Sequence, residues 1–200
     1  GFGMTAITTM QGDAPLCGLP ARHAITVDEY LRMGEAGVLA PDGRYELIAG
    51  EIIDMPPIGP AHASKTNRLV DLFTAAVRGR AIVSAQNPVI LGDLSAPQPD
   101  LALLRYRDDY YAEAHPGPAD ILLLIEIADS SLSHDRETKL PLYARFQIPE
   151  VWLIDLQGGH LDVHRAPDGG RYSARFRVTD RSHVEVASLP DLVLDCRDLF

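Results

Sequence analysis

The stretch Ile121-Leu122-Leu123-Leu124-Ile125-Glu126-Ile127-Ala128 is apolar at every position but one. It is far shorter than the ~20 residues a membrane helix needs, and it has the length of a strand. Because both alternating faces are apolar, it predicts a β-strand covered on both sides. The exception is Glu126. A carboxylate withdrawn from water in such a strand costs on the order of several kcal/mol unless it is paired, protonated or bound to a metal. The plain alternative is a glutamate at the strand end that meets an arginine or water.

Working outward, Pro97 and Pro99 precede Asp100, which opens a second apolar run, Leu101 to Leu104. Ala81 to Ala85 predicts a strand before it, with Val89 to Leu91 a short extension. Ala61 to Arg78 carries Leu69, Leu72, Phe73, Ala76 and Val77 at spacings of three and four, a helical pattern, with Gly79 where a C-cap belongs. Beyond Glu126, Pro141 is tolerated only near a helix start, so a helix through Leu140 to Phe146 should begin at about Thr138. Glu150 to Leu156 is a further strand, and residues 160–165 with 172–178 suggest a closing hairpin. Helix, three strands, helix, strand is the central order, a mixed α/β fold with a mixed sheet. Upstream, Thr26 to Glu29 is a capping box opening a helix over about 27–36. Tyr45 to Met55 reads as a hairpin turning at Ala49-Gly50.

At 200 residues the chain suits one domain, placed at 25–200. Residues 1–24 are read as an expression scar (Gly1-Phe2-Gly3) and a loose lead-in. No segment reads as a membrane span. Cys17 and Cys196 form no CxxC pair, which suggests free thiols in a cytoplasmic protein. The net charge of −10 argues against a protein that grips nucleic acid through a broad basic face. Any such binding has to be local, metal-assisted or weak. Only Lys65 and Lys139 among the 18 basic residues are lysines, so the position of each matters.

If strands 100–105 and 121–128 pair antiparallel with Asp100 opposite Glu126, Arg105 falls opposite Ile121. Both carboxylates then leave the same face, with β-carbons ~4.5–5.5 Å apart. Such a pair repels unless a cation lies between, and hard oxygen donors at that spacing suit Mg²⁺ or Mn²⁺. Lys139 enters the next helix, which packs back over the sheet, and could steady charge on a metal-bound water or a phosphate. Its alternative is a solvated lysine at a helix start. No G-x-S-x-G elbow, G-x-x-x-x-G-K or G-x-G-x-x-G loop, H-E-x-x-H motif or Cys/His cluster is present.

Pro99-Asp100, Glu126 and a following lysine resemble the PD-(D/E)xK phosphodiesterase pattern. Ala128 stands where that pattern has its lysine, and Lys139 from the following helix is the substitute. Tyr45-Glu46-Leu47 with Gly50-Glu51, Pro56-Pro57, His62, Ser130, Asp135, Tyr143-Ala144-Arg145 and Glu150 to Asp155 extend the likeness. Together, over about residues 25–165, they resemble the Uma-type restriction-endonuclease family. The resemblance implies a restriction-endonuclease-like core and a divalent metal. It places Glu51 as a third metal ligand beside Asp100 and Glu126, with Glu46, His62 and Asp135 as supporting residues. His62 reads equally as a capping or packing residue, and Asp135 as an N-cap. Asp71 is the only acid of the first core helix. Asp155, Trp152 and Tyr143 read as structural, and the arginines from Arg165 to Arg181 as a solvated face, with a basic edge the alternative.

The expected function is that of a Mg²⁺- or Mn²⁺-dependent phosphodiesterase acting on nucleic acid, DNA above all. A homodimer is compatible with cutting two strands. The alternatives are a non-catalytic binding module on the same fold, or a nuclease that needs a protein partner for DNA contact.

Overall fold

The computed structural model describes residues 20–179 and 183–199. The proposed scar, most of the lead-in, Cys17 and Arg181 lie outside them. Helix α1 (Val27–Glu35) starts on the expected capping box: Glu29 N–H bonds the Thr26 hydroxyl, and the Glu29 carboxylate reaches back to Thr26. Strands β1 (Tyr45–Ile48) and β2 (Glu51–Asp54) form the predicted hairpin. Ala49 and Gly50 both have positive φ (49° and 80°), as a two-residue turn matched to strand twist requires.

Helix α2 (Pro60–Val77) begins on a proline, whose missing N–H is harmless in the first turn. It ends at Arg78, which adopts the left-handed conformation one residue before the expected Gly79. Strands β3 (Ala81–Ala85), β4 (Leu101–Arg105), β5 (Ile121–Ala128), β6 (Glu150–Asp155), β7 (His160–Asp168) and β8 (Arg171–Val178) form one sheet in chain order. Only β5 and β6 run parallel. A separate hairpin, β9 (His183–Val186) with β10 (Leu189–Asp195), follows. Among the described residues, no helix is long and apolar enough to cross a membrane.

All eight residues of β5 are buried, because both faces of the sheet are covered. On one face α2 lays Leu69, Phe73 and Val77 against Leu123, Ile125 and Trp152, and the β9–β10 hairpin closes the same layer. Phe73 and Trp152 meet with ring centroids 5.7 Å apart. Fully buried Glu150 ties the layers: it accepts from Trp152, Arg165 and the Ala187 N–H. On the other face, Leu142 and Tyr143 pack over Leu124 and Val151.

Three expectations need correction. Val89 to Leu91 is not a strand. It is a buried loop with one bridge, Leu91 to Ser95, because this segment turns to dock the β1–β2 hairpin through Leu47 and Ala96. The helix after β5 starts earlier than Thr138: α3 (Leu132–His134) leads into a π-helical turn, Asp135–Lys139, and then α4 (Leu140–Arg145). Pro141 offers no N–H and its ring crowds the preceding turn, and the wider turn absorbs this. Leu140 N–H accordingly bonds Asp135 C=O, five residues back. Finally, β4 and β5 pair as Leu101–Ile125 and Leu103–Leu123, but a bulge then sets Leu104, not Arg105, opposite Ile121. At the other end the ladder stops at Leu101–Ile125, and Asp100 lies in the bend just before β4 and reaches β5 through the Ile127 N–H.

Candidate active site

A pocket of about 340 Å³ opens where β4 begins and β5 ends. Asp100 enters from the residue before β4. Its Oδ2 accepts the Ile127 N–H at 2.8 Å, which locks the start of one strand to the end of the next. Its Oδ1 lies 3.0 Å from Nε2 of His62, in the first turn of α2. That contact raises the His62 imidazole above its ordinary value, against the opposing effect of burial.

Lys139 reaches in from the end of the π-helical turn. Its Nζ donates to Glu46 Oε1 at 2.7 Å and lies 2.8 Å from Glu126 Oε1. The Tyr143 hydroxyl, one turn further along, donates to the same Glu126 oxygen at 2.6 Å. Glu46 on β1 also accepts the Gln98 N–H at 2.8 Å, and His134 stands 3.7 Å from its other oxygen. Asp135 completes the wall and accepts from Ser131 at 2.8 Å.

Glu46, Asp100, Glu126, Asp135 and Lys139 are each no more than 6% exposed. Burial drives Glu126 well above the usual carboxylate range; Lys139 opposes this, while Asp135, Asp100 and Glu46 reinforce it. Burial likewise raises Asp135, with Lys139 and Ser131 opposing. For Glu46, burial is outweighed by Lys139, His134 and the Gln98 N–H, which bring the carboxyl down to about 2. Lys139 loses solvation on burial, but Glu126 and Glu46 more than compensate, so its ammonium stays protonated.

The pocket therefore gathers Glu46, His62, Asp100, Glu126, Asp135 and Lys139. It does not gather Glu51, which is exposed at the turn end of its hairpin, nor Asp71, exposed on α2. His134 and Tyr143 are contributors that sequence reasoning missed. Tyr143 reads as structural in the sequence, and a histidine within the mostly polar stretch 129–139 carries no signal of its own. Asp155 and Trp152 are structural: Asp155 accepts the Gly158 N–H in a turn, and Trp152 bonds Glu150.

The donor set suits a hard divalent cation. Four buried carboxyl groups share the pocket with one ammonium, burial holds Glu126 and Asp135 back from ionising, and a divalent ion is what would let them carry charge together. Among the described residues, no three His, Cys, Asp or Glu side chains are already arranged to hold a metal. Mg²⁺, however, is commonly held by one or two carboxylates together with substrate phosphate and water.

The family described as "Uma2: Putative restriction endonuclease" matches residues 27–197. The chain belongs to this family. A solved Anabaena variabilis structure, described as a "putative nuclease belonging to DUF820", shares the fold of this Uma2 member: TM-score 0.71, 23% identity, 88% of this chain and 97% of the other covered. No curated protein matches the chain. The Uma2 match begins at α1, so the capping-box helix, the β1–β2 hairpin with Glu46, and the sheet all lie inside it.

Proposed function

We propose that the protein is a Mg²⁺- or Mn²⁺-dependent endonuclease that hydrolyses phosphodiester bonds in nucleic acid, with DNA the expected substrate. The observation that carries this reading is the convergence of Asp100, Glu126 and Lys139 in one pocket with a buried surplus of carboxylate. Family membership supports the same reading.

A bound Mg²⁺ or Mn²⁺ would supply Lewis-acid activation of water and neutralisation of phosphate charge. Asp100 and Glu126 provide its oxygen donors. The His62 contact and the Ile127 N–H hold Asp100 in place, and Tyr143 and Lys139 do the same for Glu126. Hydrolysis joins a water oxygen to phosphorus and breaks one P–O ester bond, so negative charge builds on the phosphoryl oxygens. Lys139, kept protonated by Glu46 and Glu126, is placed to steady that charge. Glu46 acts through Lys139 as a positioning residue.

A second reading, a non-catalytic binding module, is favoured by Lys139 already bridging Glu46 and Glu126. Calorimetric titration with Mn²⁺ separates the two. The nuclease reading expects saturable binding in the wild type, lost in Glu126→Ala and Asp100→Ala, together with loss of metal-dependent DNA cleavage in a still-folded protein. No Mn²⁺ binding by the wild type, or cleavage unchanged by both substitutions, would overturn it.

A further inference from the structure

The sheet register links the pocket to a second cluster of charge. Glu126 pairs with Leu153, Leu153 with Asp162, and Asp162 with Arg177. Paired residues share a face, so one row runs from the candidate active site across β6 and β7 to β8. Three strand spacings separate its ends, ~14 Å.

At the far end Asp162 is 1% exposed and surrounded by cations. Arg177 grips it with two hydrogen bonds, Nε to Oδ1 at 2.8 Å and Nη2 to Oδ2 at 3.0 Å. Arg175 adds a third at 2.7 Å. From the π-helical turn, Arg136 approaches the same carboxylate at 3.9 Å. His160 stands 3.7 Å from both Asp162 and Asp155. Neutralising Asp162 takes one arginine, and three converge on it.

The three side chains remain 43–49% exposed. Each guanidinium carries five N–H donors, of which Arg177 spends two on Asp162 and Arg175 one. The buried carboxylate thus fixes Arg175 and Arg177, which stay about half exposed with donors to spare, while Arg136 stands beside them without a hydrogen bond to it. Even against Asp162 and Asp155 the cluster stays positive, on a chain whose net charge is −10. Fixed guanidinium forks suit phosphate, which they can bind with paired hydrogen bonds.

We propose that Arg136, Arg175 and Arg177, held by Asp162, form a phosphate site for the nucleic-acid backbone on the same sheet face as the carboxylate pocket. It rests on the nuclease reading and deepens it. The π-helical turn divides the two sites: Asp135 and Lys139 face the pocket, and Arg136 faces the arginines. The substrate is anchored by its phosphates at the basic cluster, away from the reacting bond. An acidic protein then holds a polyanion at one local cluster, against its net charge.

The test is fluorescence anisotropy with a labelled DNA duplex of about 20 base pairs, metal-free to prevent cleavage, between about 50 and 200 mM salt. Arg175→Gln/Arg177→Gln should raise Kd about tenfold or more at the lowest salt and reduce the slope of log K against log salt by about two. Arg136→Gln leaves the hydrogen-bonded core of the cluster intact, so it keeps the test valid if the double variant fails to fold. It should reduce the slope by about one. Arg32→Gln, which removes an equal charge from α1, should change neither quantity. Unchanged Kd and slope in folded Arg136→Gln overturns the phosphate site, as does a wild type without salt-dependent binding. Metal-dependent cleavage by the wild type, measured in parallel, judges the nuclease reading separately.

Discussion

Lys139 sits between two carboxylate oxygens at 2.7 and 2.8 Å and is only 2% exposed. Removing one member of a buried ion pair strands the charges left behind, at a cost of roughly 3–5 kcal/mol. Lys139→Met should therefore abolish cleavage and also lower metal-free stability by that order in urea unfolding. Glu46→Gln keeps a hydrogen-bond acceptor and leaves Glu126 to pair the ammonium, so its stability loss should be clearly smaller. Equal losses in the two variants would show that the bridge is not what stabilises the pocket. The pocket residues that local sequence singles out are those whose setting is odd: Glu126 alone in an apolar strand, Lys139 as one of two lysines. Choosing between Glu46 and Glu51 was beyond local reasoning. Their hairpin pairs (Glu46–Ile53, Ile48–Glu51) put both on one face, only ~7 Å apart along the strand. Which end of that hairpin meets the sheet is decided by the distant contact of Leu47 with Ala96.

At the scale of elements, α2 is held to the sheet by a stripe of fully or nearly fully buried side chains, with Phe73 at its centre against Trp152. Because α2 also carries His62 to Asp100, its packing bears on the site. Phe73→Ala should cost about 3–5 kcal/mol in urea unfolding, from lost burial and the cavity left behind. Asp71→Asn, exposed on the same helix, should stay within about 0.5 kcal/mol. Comparable losses in both would contradict the burial pattern. This helix was legible because its apolar spacing of three and four reports one buried face. The π-helical turn was not: Pro141 signals a disturbance but not whether the chain starts its helix late or widens a turn. The structure chose the second, and that brings both Asp135 and Lys139 into the pocket.

Across the whole molecule, charge is distributed unevenly. A carboxylate-rich pocket and an arginine cluster share one sheet face of an acidic chain, a pattern that net charge conceals and only the strand register reveals. His164 lies within this field on β7. It is 5% exposed, its Nδ1 is buried without a hydrogen-bond partner, and the Tyr172 ring lies 6.0 Å away. Burial depresses its pKa to about 4, helped by Arg175 and Arg136 and opposed by Asp162. The unfolded chain takes up this proton near pH 6.5, whereas the folded protein resists it until about pH 4. Between those values the unfolded state binds more protons, so stability falls as pH falls, at a limiting slope of about 1.4 kcal/mol per pH unit. Above pH ~6.5 both states are neutral and the effect is absent. Other groups titrate in the same range, so the measurement is a difference. Between pH 7 and pH 5 the wild type should lose about 2 kcal/mol more stability than His164→Phe, which fills the same space without a titrating nitrogen. Parallel stability curves for the two proteins would mean that His164 takes up its proton as readily in the folded state as in the unfolded chain, and that its burial does not depress it.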